Sequence, residues 1–432
     1  MEFVRRHPIF AALSALFVLA IGALVGAAVI WSAFSEQIKA ILDDQFYFSV
    51  ILSLVLFGLI MGAVAYSILL ERKISAWVQD RYGPNRVGPY GVLQPIADGL
   101  KFLLKEDVIP ANVDKSLFLV APWMIFIVGL VGFAVIPWGG TFRWPWMDAD
   151  APPLVAQVAS VDIGLLYILA VSSMGVYGVV LGGWSSNNKY SFYGAMRAAA
   201  QMLSYEIPLG MAVLVAILST GMLRLEQMTE YQAQHGWLVM YHPIAALILF
   251  ITALAEANRM PFDLAESEQE LIGGYHTEYS AMKLAMFFLA EYAHMITSSA
   301  LIVCLYFGGA HVPGWHWLNT SESAAAMLAR MGVMGAKVFL FICLYMLVRW
   351  TLPRFRYDQL MRLAWKSLVP LTMSLVVIQV LIVYFDAWRW WALIGNAALL
   401  FVGAVFSVAS GRRITGRQHS LRHAQGELMS YR

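Results

Sequence analysis

The chain has 432 residues and a formal net charge of +2, and 60% of its residues are hydrophobic while only 13% are charged. A soluble domain carries about 25% charged residues, so the composition excludes an ordinary soluble enzyme. Two cysteines, Cys304 and Cys343, are too few for a zinc or iron–sulfur site, which needs about four ligands. The sequence therefore predicts an all-α membrane protein, and we expect both cysteines to be small buried hydrophobic residues.

Ten apolar segments predict a polytopic transmembrane helical bundle, because about 20 apolar residues span the hydrocarbon core. The first segment follows Arg5 and Arg6 and is too long for the apolar part of a signal peptide, so we expect a retained anchor. The predicted spans are residues 9–33, 47–70, 116–137, 159–182, 199–219, 242–257, 284–308, 330–350, 367–385 and 389–409.

Basic residues concentrate in the loops on one side of these spans. Residues 71–115 carry seven lysines and arginines, and residues 349–366 carry five. The basic tail after Gly411 belongs to the same side, whereas the loops of the other side contain only Lys39, Arg143, Arg224, Arg330 and Arg389. Because loops rich in lysine and arginine stay in the cytoplasm, we expect both termini there, in a multi-pass protein.

Two loops on the basic side are too long to be turns. Residues 71–115 and 256–283 mix charged and apolar residues, and long ordered loops are usually functional or docked to a partner. Within the first loop, residues 96–104 have the spacing of an amphipathic helix, with Leu100 on its apolar side and Asp98 largely away from it. A helix that merely anchors the loop in lipid is the alternative.

Four acids fall in or near the predicted spans: Asp162, Glu206, Glu256 and Glu291. A carboxylate in hydrocarbon is costly, so such groups usually face a polar cavity and mark ion or proton pathways. Pro208 follows Glu206 closely and can kink the helix beside this acid. The alternative is that the four acids only form hydrogen bonds between helices.

A further acidic segment begins at residue 256. In a helix over residues 263–270, Asp263, Glu266 and Glu270 share one face. Carboxylates at such short distances raise one another's proton affinity. Arg259 is their natural counter-ion, although a solvated acidic face is possible as well. The Glu-x-x-His pair of Glu291 and His294 is single, whereas a di-iron bundle needs two such pairs, so we expect no metal site.

Two stretches resemble one known family. Residues 71–107, with Glu71-Arg72-Lys73 and Gly83-Pro84-Asn85-Arg86-Val87-Gly88-Pro89, are similar to the first cytoplasmic loop of the H subunit of bacterial NADH:quinone oxidoreductase (respiratory complex I). Residues 255–292, with Ala255-Glu256-Ala257-Asn258-Arg259 and Pro261-Phe262-Asp263-Leu264, are similar to its third cytoplasmic loop. The resemblance covers about residues 45–385.

This resemblance implies a membrane subunit that joins the membrane arm to the hydrophilic arm and forms the entrance and tunnel for quinone. Ubiquinone or menaquinone is then the substrate, and no metal or flavin belongs to this chain. The implied partners are the iron–sulfur and quinone-site subunits of the hydrophilic arm, the small and antiporter-like membrane subunits, and lipid, with no nucleic acid. The implied quinone-binding residues are Arg72, Asp98, Arg259, Asp263, Glu266, Glu268 and Glu270, and the implied proton-path residues are Asp162, Glu206, Glu256 and Glu291.

The resemblance also divides the chain and locates it in the bacterial inner membrane. We expect an extra helix and its connection over residues 1–45, an eight-helix core over 46–386, a second extra helix over 387–410 and a basic tail over 411–432. Two alternatives stay open: an anchor subunit of a related membrane-bound hydrogenase or of a ferredoxin- or plastoquinone-linked dehydrogenase, and a stand-alone secondary ion transporter. The absence of a visible internal repeat weakens the transporter interpretation.

Overall fold

A computed structural model describes residues 42–147, 150, 152–263, 273–385 and 390–399. The predicted first span, most of the predicted last span and the basic tail lie outside the described residues, as do Glu266, Glu268 and Glu270.

The described part is helical apart from one short hairpin. The helices, in chain order, are α1 (Gln45–Val78), α2 (Gln94–Leu104), α3 (Lys115–Val131), α4 (Gly164–Ser173), α5 (Gly175–Ser185), α6 (Lys189–Thr220), α7 (Leu225–His235), α8 (Pro243–Glu256), α9 (Ala281–Tyr306), α10 (His316–Thr320), α11 (Ala324–Thr351), α12 (Tyr357–Leu363) and α13 (Val369–Tyr384). The hairpin pairs β1 (Thr141–Phe142) with β2 (Leu154–Val155), antiparallel. Residues 390–399 are also helical.

Seven helical stretches of the described residues are long and apolar enough to cross a membrane. They overlap seven of the predicted spans and confirm the polytopic helical fold. Helix α8, which corresponds to the predicted span 242–257, is shorter. It has 14 residues and is about 21 Å long, whereas the hydrocarbon core is about 30 Å thick. The total of ten spans stays a prediction, because two of them fall largely on residues outside the described ranges. The seven stretches are Gln45–Val78, Lys115–Val135, Gly164–Ser185, Lys189–Thr220, Ala281–Tyr306, Ala324–Thr351 and Tyr357–Tyr384.

Polar residues and glycine mark where several helices begin and end. The Asp114 carboxylate accepts hydrogen bonds from the backbone N–H groups of Ser116 and Leu117 at the start of α3. The Asn188 side chain caps α6 in the same way. Helix α6 ends where Gly221 adopts the left-handed conformation (φ 71°), which costs a glycine little.

Helix α9 lies at the centre of the bundle. In its most apolar stretch 83% of the residues are buried, against 28% for α1. Small residues allow the close packing around it: a Cβ on Gly132, directly after α3, would lie only 3.1 Å from the Thr297 side chain. Helix α1, in contrast, exposes Phe46 and Leu54, as expected of a helix that faces lipid or another subunit.

The loops at one end of the bundle hold one another in place, and we call this end the basic face (residues 79–93, 105–114, 186–188, 257–263, 273–280 and 352–356). Ser280 Oγ accepts from the Val108 backbone N–H at 3.0 Å. The Asn188 side chain donates to Glu278 at 2.7 Å, and the Asn187 side chain donates to the Asn112 carbonyl at 3.0 Å. These bonds join three loops that are distant in sequence.

The other end, the opposite face (residues 136–147, 150, 152–163, 221–242 and 307–323), is organised by one buried and one half-buried polar side chain. Gln232 of α7 donates to the carbonyls of Cys304 and Leu305, and its own carbonyl accepts from the backbone N–H groups of Leu238 and Gly308. Lys337 donates to the Phe307, Gly309 and His311 carbonyls at 2.7–2.8 Å. Both side chains satisfy backbone groups that α9 leaves unpaired where it ends.

We predict that Gln232→Leu destabilises the protein, because it leaves buried backbone donors and acceptors without partners. Each such group costs about 1–3 kcal/mol, so the midpoint of thermal unfolding should fall by several degrees. The measurement is a thermal unfolding scan of the purified protein. Gln234→Leu on the exposed side of the same helix is the matched control. An equal effect of both substitutions would contradict the role given to Gln232.

Candidate functional site

A cavity of about 620 Å³ lies between α1, α2 and α9, next to the basic face. This volume is in the range of sites for small organic molecules, about 300–1,000 Å³. The cavity, which we call the chamber, is mostly apolar, with a cluster of charged groups in its wall. Its lining residues are Ala65, Ile68, Leu69, Glu71, Arg72, Gln94, Pro95, Asp98, Gly99, Phe102, Leu103, Arg259, Gly273, His276, Met282, Ala285, Phe288, Leu289, Tyr292 and Arg349.

Helix α2 forms one wall of the chamber and is amphipathic, as the sequence predicted. None of its residues is fully buried, and Leu104 remains 85% exposed. Its polar side is held to α1 by an ion pair in which Arg72 Nη1 lies 2.7 Å from Asp98 Oδ2, and Gln94 also donates to Asp98. Since Arg72 is partly exposed, this pair adds only about 0–1 kcal/mol to stability, and its main effect is to orient the helix.

A buried cluster of two acids, two arginines and a tyrosine, which we call the charged wall, borders the chamber, and each of its residues is less than a tenth exposed. Four of the five line the chamber, whereas the second acid, Glu291, lies behind them. Glu71 of α1 is paired with Arg349 of α11, and Arg259 Nη1 lies 3.5 Å from Glu71 Oε2. Arg259 Nη2 lies 3.2 Å from Glu291 Oε2. Tyr292 donates to Glu71 at 2.6 Å, and the Arg259 guanidinium lies 4.1 Å from the centre of the Tyr292 ring.

In this cluster two carboxylates face two guanidinium groups, so its formal charges balance. Balance is needed because an unpaired charge in a low-dielectric interior costs several kcal/mol. Sequence reasoning identified Arg259 and Glu291 but did not include Glu71 or Arg349 among the site residues. Glu71 directly follows the apolar span predicted to end at residue 70, and α1 continues past it to Val78. An acid at this position was the signal that could have identified it.

The position of Arg259 depends on a buried glutamine that sequence reasoning also missed. Helix α8 is too short to cross the hydrocarbon core, so the backbone that follows it needs partners within the protein. Gln201 of α6, which is fully buried, donates to the carbonyls of Ala255 and Phe262 and to the Asn258 side chain, at 2.8–3.2 Å. Asn258 has a positive φ of 49°, so the chain turns sharply just before Arg259.

His276 contributes an uncharged polar group to the chamber wall. Burial lowers the pKa of His276, and the negative charge of Glu291 only partly opposes this effect. The imidazole is therefore mainly neutral at neutral pH. Its ring packs against Phe288, with the ring centres 5.9 Å apart.

The predicted quinone-binding residues are therefore distributed unevenly. Arg72, Asp98 and Arg259 line the chamber. Asp263 is buried beside the same loop, and its backbone carbonyl accepts from Arg354 at 2.5 Å, but it does not line the chamber. Arg259 is paired with Glu71 and Glu291. Its predicted role as counter-ion to Asp263, Glu266 and Glu270 stays a prediction, because Glu266 and Glu270 lie outside the described residues.

The predicted proton-path residues fall into two groups. Glu256, at the end of α8, lies 3.6 Å from His294 Nε2 of α9, and both line a small cavity of about 30 Å³. A cavity of that size holds about one or two water molecules, and Ser172 gives it another polar group. Glu206 of α6 is half-buried and close enough to Glu256 for their charges to interact. Glu291 lies one helical turn before His294 and belongs to the charged wall of the chamber.

Asp162 stands apart from the other three acids. The predicted span began at residue 159, but the helix begins at Gly164, so Asp162 lies in the preceding loop on the opposite face. Its side chain is 77% exposed and paired with Arg224. The predicted span therefore began too early, because it included Ala159 and Val161 of this loop. The proton-path role of Asp162 stays a prediction.

Among the described residues there is no group of three or more histidine, cysteine, aspartate or glutamate side chains suited to a metal ion.

We predict that Glu71→Gln disrupts the charged wall, because it leaves two buried arginines with one carboxylate. Breaking a buried ion pair costs about 3–5 kcal/mol, so the unfolding midpoint should fall clearly below that of the wild type in a thermal scan. The exposed Glu106 is the matched control, and Glu106→Gln should leave the midpoint unchanged. A Glu71→Gln protein with wild-type stability would show that the cluster is not energetically coupled.

Comparison with known proteins places the chain in a family. Residues 50–380 match the sequence model of the family described as NADH dehydrogenase. An H subunit of NADH-quinone oxidoreductase from Cytophaga hutchinsonii is 46% identical over 313 residues, which cover 72% of this chain and 90% of that protein. The H subunits of the same enzyme from Leptospira biflexa and Flavobacterium johnsoniae are 46% and 47% identical, with 77% and 75% of this chain and 94% and 91% of the relatives covered. The chain therefore belongs to the NADH dehydrogenase family that contains the H subunits of NADH-quinone oxidoreductase.

Proposed function

We propose that the chain is the membrane subunit of a proton-pumping NADH:quinone oxidoreductase that admits quinone to its reduction site and begins the proton path into the membrane arm. The observation that carries this proposal is the chamber, which has an apolar lining and a charged wall. A quinone has the matching chemistry, since its isoprenoid tail is apolar and its two carbonyl oxygens accept hydrogen bonds.

The route of entry that we propose passes α2. This helix contributes Phe102 and Leu103 to the chamber and leaves the apolar side chains of Ile96, Leu100 and Leu104 exposed towards lipid. A quinone dissolved in the bilayer can therefore move along an apolar surface until its head group reaches Arg72 and Asp98. Asp263 and the acids that follow it in the sequence, Glu266, Glu268 and Glu270, complete the proposed quinone-binding set.

The chemistry requires electrons from a partner. Reduction of a quinone to a quinol takes two electrons and two protons, and the partner that we propose is an iron–sulfur subunit of the hydrophilic arm, docked on the basic face. That face would lie in the cytoplasm of a bacterium, with both termini, the added terminal helices and the basic tail arranged as the sequence predicts. The division of the chain into a core at 46–386 and added segments at 1–45, 387–410 and 411–432 belongs to the same proposal.

Proton transfer to the quinone changes the charge of the chamber wall, and we propose that this change is passed on through α9. Glu291 and His294 are three residues apart on this helix, so they occupy the same side of it one turn apart. His294 is paired with Glu256, and Glu256 interacts with Glu206. The order Glu291, His294, Glu256, Glu206 is thus the proton path that the contacts support best. In this proposal Asp162, which is paired with Arg224, acts in proton transfer only at the opposite face.

The first test of the function is purification in a mild detergent through a tag on this chain, followed by mass spectrometry and an NADH:quinone assay. We expect flavin and iron–sulfur subunits to co-purify with inhibitor-sensitive quinone reduction. Co-purification of hydrogenase subunits would change the electron donor, and a protein without partners that transports ions would favour a secondary transporter.

A second prediction tests the chamber as the quinone site. A Cβ on Gly99 would meet no atom within 4 Å, so Gly99→Ala should be tolerated, whereas the ring of Gly99→Trp should occupy the cavity. We expect the KM for quinone to rise about tenfold in Gly99→Trp, which corresponds to ~1.4 kcal/mol. NADH oxidation with a water-soluble artificial acceptor is the control and should not change. Equal quinone kinetics in both variants would exclude the chamber as the route.

A third prediction concerns the proton path. Glu206→Gln keeps the shape of the side chain but removes the proton it exchanges, so coupled quinone turnover should fall by at least about tenfold. NADH oxidation with the artificial acceptor should remain intact. Glu322→Gln, on the exposed opposite face, is the matched control and should pump normally. Normal proton pumping by Glu206→Gln would exclude Glu206 from the path.

A further inference from the structure

A third cavity, of about 350 Å³, lies at the opposite face, where residues 390–399 pack on the bundle. The Trp390 and Tyr241 rings are 5.1 Å apart, and the Asn396 side chain donates to the Tyr241 carbonyl at 3.3 Å. Gly395 fits against Ile378 of α13, because a Cβ there would lie 2.8 Å from that side chain. Residues 390–399 lie beyond the part of the chain that matches the family, so this cavity combines the shared core with an added segment.

The lining of this cavity can form hydrogen bonds but carries no permanent charge. It includes Ser219, Tyr231, Tyr241, His242 and Gln379, and the described lining residues contain no aspartate, glutamate, lysine or arginine. Ser219 Oγ and His242 Nε2 are 2.9 Å apart, and the Tyr241 hydroxyl donates to the His235 carbonyl at 3.1 Å. The hydrogen-bonding capacity of these side chains is thus partly used within the protein.

Gln379 of α13 is the exception. It is 5% exposed, and its Oε1 atom accepts no hydrogen bond from any described residue. An unsatisfied buried carbonyl costs about 1–3 kcal/mol, so a donor from a bound molecule would stabilise it. The carboxyl end of α6 also lines the cavity through Thr220 and Gly221, and the partial negative charge of a helix C-terminus favours donors over anions.

Beside the cavity the surface is apolar and open. Val383 on α13 and Ile394 in the added segment are 52% and 55% exposed, so hydrocarbon chains can pack there. The cavity itself lies where the membrane helices end, which is the depth of the lipid headgroups, and Tyr231, Tyr241 and Trp390 are residue types that prefer this depth. A ligand with an N–H or O–H donor at one end and acyl chains at the other fits both surfaces.

We propose that this cavity binds one membrane phospholipid whose headgroup donates a hydrogen bond to Gln379, with its phosphate at the aqueous mouth and its acyl chains along α13 and residues 390–399. Ethanolamine and glycerol headgroups both carry such a donor, whereas choline has neither an N–H nor an O–H group. The added helical segment thereby acts as one side of a lipid site.

The test uses the intact assembly, isolated in mild detergent through a tag on this chain. It is exchanged into phosphatidylethanolamine, phosphatidylglycerol or phosphatidylcholine with identical diazirine-bearing acyl chains, irradiated and digested. We expect the first two lipids to label peptides from residues 369–399 about tenfold more than phosphatidylcholine does. The ratio between the first two identifies the natural headgroup.

Two variants locate the effect. Gln379→Leu removes the acceptor and should reduce labelling by the donor lipids to the phosphatidylcholine level, and Ala392→Phe should do the same by filling the cavity. Val377→Leu, on the exposed side of α13, is the control and should label like the wild type. Equal labelling by all three lipids in the wild type, or unchanged labelling in both cavity variants, would overturn the proposal and leave the cavity as a water-filled space.

Discussion

The arrangement of the whole basic end depends on the charge balance around Glu71. Its carboxylate is buried between Arg349 and Arg259 and accepts a third contact from Tyr292. These partners come from α11, the loop after α8, and α9, so one acid of α1 ties together four segments that are distant in sequence. Since buried charges are tolerated only when paired, each segment must occupy its place for any of the others to do so.

This constraint explains why a chamber of about 620 Å³ persists next to a bundle that is otherwise closely packed. The charged wall cannot collapse onto the apolar wall without losing its pairing, and the Arg72–Asp98 ion pair fixes the orientation of α2 on α1. The loop that carries Arg259 is fixed in turn by Gln201, which satisfies its backbone at a depth where water does not reach.

The helical bundle and its amphipathic helix could be predicted from the sequence, because long apolar runs and the spacing of residues 96–104 are local signals. Glu291 and Glu256 could be recognised as costly acids for the same reason. The partners of Arg259 could not be predicted, since they come from helices separated by up to 188 positions in the chain, from Glu71 to Arg259. Gln201 and Gln232 were missed because an uncharged amide in a helix gives no signal until the backbone groups that it satisfies are known.

Helix α9 lines the chamber with Tyr292 and the small cavity with His294, and Glu291 on the same helix is paired with Arg259 of the chamber lining. Helix α9 therefore lines both cavities. A substitution that rotates or shifts α9 and so changes the shape of one cavity also changes the shape of the other. The two cavities therefore cannot change shape independently at α9, whereas α1 and α2 line the chamber and not the small cavity, so a change there can alter the chamber alone.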